Sequence, residues 1–138
     1  MAQHIATSNY VTAQDGLRLH VREYGARIGA RLPAVCLPGL ARNTGADFET
    51  LATALAGNPH APRRAPVLDL RGRGRSDYDR NPKNYNVQFE LADVLAALTA
   101  RAVDQAVFIG TSRGGILTML LAAARPTALA ECSTTSGR

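Results

Sequence analysis

At 138 residues, 46% of them hydrophobic and 20% charged, the chain has the length and apolar content for one compact domain with its own core, and nothing in it calls for two. The net charge of +5 comes from arginine, with Lys83 as the only lysine, and these arginines are scattered rather than striped, which argues against a nucleic-acid surface; the densest run, "RGRGR" at Arg71 to Arg75, is the one candidate basic patch. Two cysteines without metal spacing fit a reduced, cytoplasmic setting, the N-terminus lacks a basic start followed by an apolar stretch, and the longest apolar run, Ile116 to Ala124, is too short to span a bilayer.

In chain order, "YVTAQDGLRLHVREYG" alternates around Asp15-Gly16, a dipeptide suited to a tight hairpin, and predicts antiparallel strands over Asn9 to Ala13 and Leu17 to Tyr24. "PAVCL", Pro33 to Leu37, is a short continuous apolar run, as expected of a strand covered on both faces. "TGADFETLATALAG" then places Phe48, Leu51, Ala52 and Leu55 on one helical face and stops at Gly57. A fourth strand, "APVLDL", is followed by the polar loop "RGRGRSDYDRNP". "NVQFELADVLAALTARA" carries Phe89, Val94, Leu95 and Leu98 at helical spacing, and "QAVFIG" is a fifth strand that leads into a last helix. Strands alternating with helices through short connections imply a mostly parallel α/β sheet with helices on both faces.

Three glycine-bearing turns could carry chemistry. Gly110 and Gly115 have the spacing of a phosphate-binding loop, but Ile116 and Leu117 stand where Lys and Ser or Thr are needed, so that reading fails. "GRGRSD" puts Asp77 where a dinucleotide loop needs its third glycine, and it leads into a loop rather than a helix. No metal or nucleotide cofactor is therefore expected.

Gly110, Ser112 and Gly114 remain, as Gly-x-Ser-x-Gly between a strand and a helix. A serine on so sharp a turn sits in a strained backbone conformation with Oγ exposed, and side chains two residues to either side would collide. Glycine removes both collisions. The helix that starts next turns free N–H groups and partial positive charge toward any oxyanion formed at Ser112. The competing reading makes Ser112 a helix N-cap that only satisfies backbone donors.

On these residues the chain resembles the α/β-hydrolase superfamily, in its serine-nucleophile esterase, lipase and peptidase branch, from Tyr10 to about Ala130. The resemblance implies the N-terminal portion of that fold, strands one to five, over residues 8–130. It also implies a catalytic Ser112 with oxyanion donors at the backbone N–H groups of Arg113 and Leu40, the latter in "LPGLARN". Two departures are Pro38-Gly39, where many relatives carry His-Gly, and the large charged Arg113. "DLRGRGRSD" looks like the family's structural turn after the fourth strand. A serine nucleophile points to ester, thioester, lactone, amide or C–C hydrolysis of a small-molecule substrate, with no nucleic-acid or membrane partner.

The family's triad runs Ser, acid, His along the chain, yet after Ser112 there is one carboxylate, Glu131, and no histidine. His4 lies near the N-terminus, His20 is expected on the surface of the second strand, and His60 falls in a loop at the far end of the fourth strand. None is expected to serve Ser112. Asp69, Asp77, Asp93 and Asp104 read as turn, cap or exposed helix residues.

The tail, residues 131–138, "ECSTTSGR", is polar and shows no strand pattern where a sixth strand should begin. In the neighbouring reading frame its codons allow Gly-Val-Leu-Asn-Asp-Ile-Gly-Pro, a plausible sixth strand and turn. A frameshift near Ala130 is thus expected, in a parent chain that runs on for roughly another hundred residues. As given, the fifth strand would be an apolar sheet edge, and turnover would be negligible without acid and base. The alternative from another class is a non-catalytic α/β module that binds a small molecule or partner.

Overall fold

A computed structural model of the chain describes residues 6–26, 31–39 and 48–135. Its centre is a mixed six-stranded sheet of β1 (Thr7–Thr12), β2 (Arg18–Tyr24), β3 (Ala34–Leu37), β4 (Ala65–Leu68), β5 (Ala106–Thr111) and β6 (Leu129–Thr135). The strands lie in the order β1-β2-β4-β3-β5-β6, with β2 antiparallel to both β1 and β4, and β4, β3, β5 and β6 mutually parallel.

The hairpin forms where Asp15-Gly16 predicts it, with a looser turn than a two-residue one. Gly16 N–H donates to Ala13 O and Ala13 N–H to Leu17 O, so Gln14, Asp15 and Gly16 share the connection, and only Gly16 (φ 89°) needs left-handed freedom.

Alternation along the parallel strands builds two cores. Val35, Leu37 and Leu68 face α2 (Val87–Ala100) and α3 (Arg113–Ala124), where Val94, Leu98, Leu117 and Leu121 meet them. Cys36, Ala65 and Val67 face α1 (Glu49–Ala56), against Phe48, Ala52 and Ala56. A period of two puts successive residues on opposite faces, so a strand apolar throughout requires helices on both sides. Leu51, expected on the buried face of α1, is instead 40% exposed. Asn86 starts α2, its Oδ1 accepting from Phe89 N–H at 2.9 Å.

The tail departs from its expected lack of structure. After α3 a short turn at Pro126–Ala128 brings the chain back to the sheet, and β6 pairs in parallel with β5 from Ala106↔Leu129 to Thr111↔Thr135. β5 is therefore an interior strand and β6 the edge. The open N–H and C=O groups of β5 select an extended segment through its backbone, which a polar string rich in threonine can supply as well as an apolar one.

Candidate active site

The elbow is built by sterics at two glycines. A Cβ on Gly110, at the end of β5, would fall on the backbone of Gly114 and Gly115, and one on Gly114 would fall on the carbonyls of Leu37 and Pro38. The first turn of α3 thus packs backbone to backbone against the ends of β5 and β3, which lie side by side through Leu37↔Gly110. No larger residue fits at either position.

Between them Ser112 adopts φ 52° and ψ −114°, one of two positive-φ residues other than glycine among those described. Such a conformation costs about 1–3 kcal/mol and persists only where its surroundings impose it. Ser112 is exposed, and its side chain makes no capping hydrogen bond to the helix, contrary to the N-cap reading. The first bond of the helical ladder runs from Ile116 N–H to Ser112 O at 3.1 Å. The N–H groups of Arg113, Gly114 and Gly115 therefore precede the ladder, and Arg113 N–H lies next to the serine. Leu40 lies outside the described residues. Its neighbours Pro38 and Gly39 are buried at the end of β3, beside the elbow.

The Arg113 side chain is directed elsewhere. Its Nε donates at 2.7 Å to Glu90 Oε1 on α2, a carboxylate only 1% exposed. A cation at the first position of a helix opposes the helix dipole, and Glu90 offsets it while tying the elbow to α2. Glu90 was not singled out from the sequence. The available signal was a glutamate and an aspartate, Glu90 and Asp93, on the helix stripe that also buries Val94 and Ala97.

The same signal reassigns Asp93. Far from an exposed helix residue, it is 1% exposed and takes two hydrogen bonds from Arg71, Nε to Oδ2 at 2.6 Å and Nη2 to Oδ1 at 2.8 Å. Arg71 also donates twice to Asp15 in the hairpin turn, at 3.0 and 3.1 Å. The densest arginine run therefore contributes a buried cross-link rather than a basic patch at its first member. Burial pushes the Asp93 carboxyl above the ordinary value of 3.8, whereas the hydrogen bonds from Arg71 hold Asp15 below it. Burial likewise pushes the Cys36 thiol up to about 12, which makes it unreactive.

The histidines divide as follows. His4 lies outside the described residues. His60 lines a cleft of about 530 Å³ with Gly25, Arg63 and Gln105, at the end of the sheet opposite the elbow, as its position before β4 predicts. His20 departs from its expected surface position: it is 3% exposed and bonded through Nδ1 to Asp69 Oδ2 at 2.9 Å and through Nε2 to Ser8 Oγ at 3.0 Å. It sits three strands from β5, about 14 Å at the usual strand spacing, too far to take a proton from Ser112. Among the described residues no group of three or more His, Cys, Asp or Glu gathers in a metal-holding arrangement, and no helix is long and apolar enough to cross a membrane.

No protein-family model matches the chain. An α/β hydrolase from Novosphingobium aromaticivorans of known structure is 44% identical, and it superposes on 97% of this chain and 44% of its own with a TM-score of 0.83. The 3-hydroxybutyrate-oligomer hydrolase of Cupriavidus necator is 35% identical over 105 residues, 76% of this chain and 34% of its own length. Bifunctional epoxide hydrolase 2 of Sus scrofa is 32% identical over 108 residues, 78% of this chain and 18% of its own length. The chain spans less than half the length of each of these relatives.

Proposed function

Because this chain belongs to the α/β-hydrolase superfamily, we propose that it is part of a serine hydrolase in which Ser112 is the nucleophile and the N–H groups of Arg113 and Leu40 hold the oxyanion. The observation that carries this reading is the backbone of Ser112, φ 52° and ψ −114°, with the side chain exposed and free of any capping bond. A serine held in strain by two glycines, without a structural bond of its own, is explained by reactivity and not by stability. Hydroxyl attack suits acyl carbon, so the bond is an ester, thioester, lactone, amide or activated C–C bond. The activity named for the Cupriavidus necator relative favours an ester, since hydroxy acids oligomerise through ester links.

Catalysis further needs a histidine to take the Ser112 proton and an acid to orient it. His20 and His60 are too distant, and because the chain spans less than half the length of its relatives we infer that both groups lie in sequence that follows it. The 138-residue chain alone then has negligible turnover at Ser112. The test is to express it together with the reading frame that follows at its locus and assay p-nitrophenyl esters, with Ser112→Ala as the comparison. We expect the substitution to cost about a thousandfold or more in kcat. Equal rates in the two proteins would sink the reading.

A further inference from the structure

The hydrogen-bonded Ser–His–Asp chain among the described residues does not contain Ser112. We propose that Ser8, His20 and Asp69 form a second nucleophilic site, which takes acyl groups from small activated esters independently of the elbow.

Hydrogen-bond chemistry sets the direction of proton flow. Asp69 is 4% exposed and its Oδ2, which accepts from Arg75 N–H at 3.1 Å, also faces His20 Nδ1 at 2.9 Å. Arg75 N–H donating to the same oxygen marks Oδ2 as an acceptor, so the tautomer that fits carries its proton on Nδ1 and donates it to Asp69. In that tautomer Nε2 is the lone-pair nitrogen, and the Ser8 hydroxyl 3.0 Å away donates to it. The base is thus oriented by a buried acid and already bonded to the proton it would remove.

The surroundings supply access and charge. Ser8 lies on the edge strand β1 with its side chain exposed, one diagonal step from His20 across the hairpin, where Ser8 faces Arg22 and Tyr10 faces His20. Arg22 Nη1 approaches Ser8 Oγ to 3.3 Å, so a guanidinium stands where negative charge would develop on an attacked carbonyl oxygen. The ring of His20 is fixed between the Asp69 bond and the Tyr10 ring, 5.3 Å away between centroids.

In the reaction Ser8 Oγ bonds to the acyl carbon, the Ser8 proton passes to His20 Nε2, the ester C–O bond breaks, and His20 hands the proton to the departing oxygen, which leaves as the alcohol. Water then cleaves acyl-Ser8 more slowly, giving a proton to His20, which returns it to Ser8 Oγ as the carboxylic acid departs.

Acetylation of the 138-residue chain by p-nitrophenyl acetate, located by peptide mass mapping, tests the site. The expected result is one acetyl group per chain on Ser8, formed about a hundredfold more slowly in His20→Gln and absent from Ser8→Ala. Acetyl on Ser112, Lys83 or the N-terminal amine with Ser8 unmodified overturns the proposal, and so does a folded His20→Gln that labels Ser8 at the parental rate. If His20→Gln does not fold, the map of the parent chain and Ser8→Ala, an exposed position, decide the matter. Ser8 and Ser112 lie on different peptides, so the outcome is separate from that of the elbow.

Discussion

Two turns leave the same edge of the sheet, one after β4 and one after β5, and they solve opposite problems. In the turn after β4, Arg71 donates to Asp15, Asp93 and Asn84 O, Ser76 Oγ bridges Asp69 O and His20 N–H, and Asp69 meets both His20 and Arg75 N–H. Among the described residues no buried side-chain nitrogen or oxygen lacks a hydrogen-bond partner. The turn after β5 instead holds an exposed serine at positive φ beside N–H groups that precede the helix ladder. Saturated polar groups hold a shape. A strained backbone persists only where its surroundings impose it, and such strain clusters at ligand-binding and catalytic sites.

Breaking the first turn has the larger effect. Arg71→Met should destabilise the chain by about 3–5 kcal/mol in denaturant unfolding, because it strands the buried Asp93 carboxylate, and adding Asp93→Leu should restore most of the loss. A single-variant loss below about 1 kcal/mol would mean that the network does not hold the turn. The second turn should respond in the other direction. Ser112→Gly removes the cost of positive φ and should raise stability by about 1 kcal/mol, read as a higher Tm; no gain would mean that the elbow is not strained.

The smallest effect is a pH dependence. Asp15, held below 3.8 by Arg71, contributes stability that is present above 3.8 and lost as pH falls through its lower folded value. Asp93 has the reverse sign: its carboxyl is raised by burial, so its ionisation subtracts stability as pH rises from 3.8 through the folded value. Asp15→Asn should therefore flatten the acid limb of a stability profile, whereas an unchanged limb would remove Asp15 from the network's energetics.

Much of this was legible in the sequence. The hairpin at Asp15-Gly16, the apolar strands β3 and β4, and helices α2 and α3 follow from period-two and helical spacing. The elbow follows from two glycines flanking a serine. The ion pairs were not legible. Arg113 with Glu90, Arg71 with Asp93 and His20 with Asp69 join residues 23, 22 and 49 positions apart, and no local pattern distinguishes a charge that will be buried with a partner from one that faces water. The polar tail misled for a related reason, since β6 is selected by the backbone groups of β5 rather than by its own side chains.

What the sequence determined by itself is therefore what acts within a few residues: the order of strands and helices, the chain reversal at Gly16, and a backbone turn at Ser112 that only Gly110 and Gly114 permit. The tertiary structure alone decided which histidine meets which acid, and that it meets Ser8 rather than Ser112. Hydrogen bonds reach about 3 Å, and only the pairing of β1, β2 and β4 across the sheet brings those groups that close.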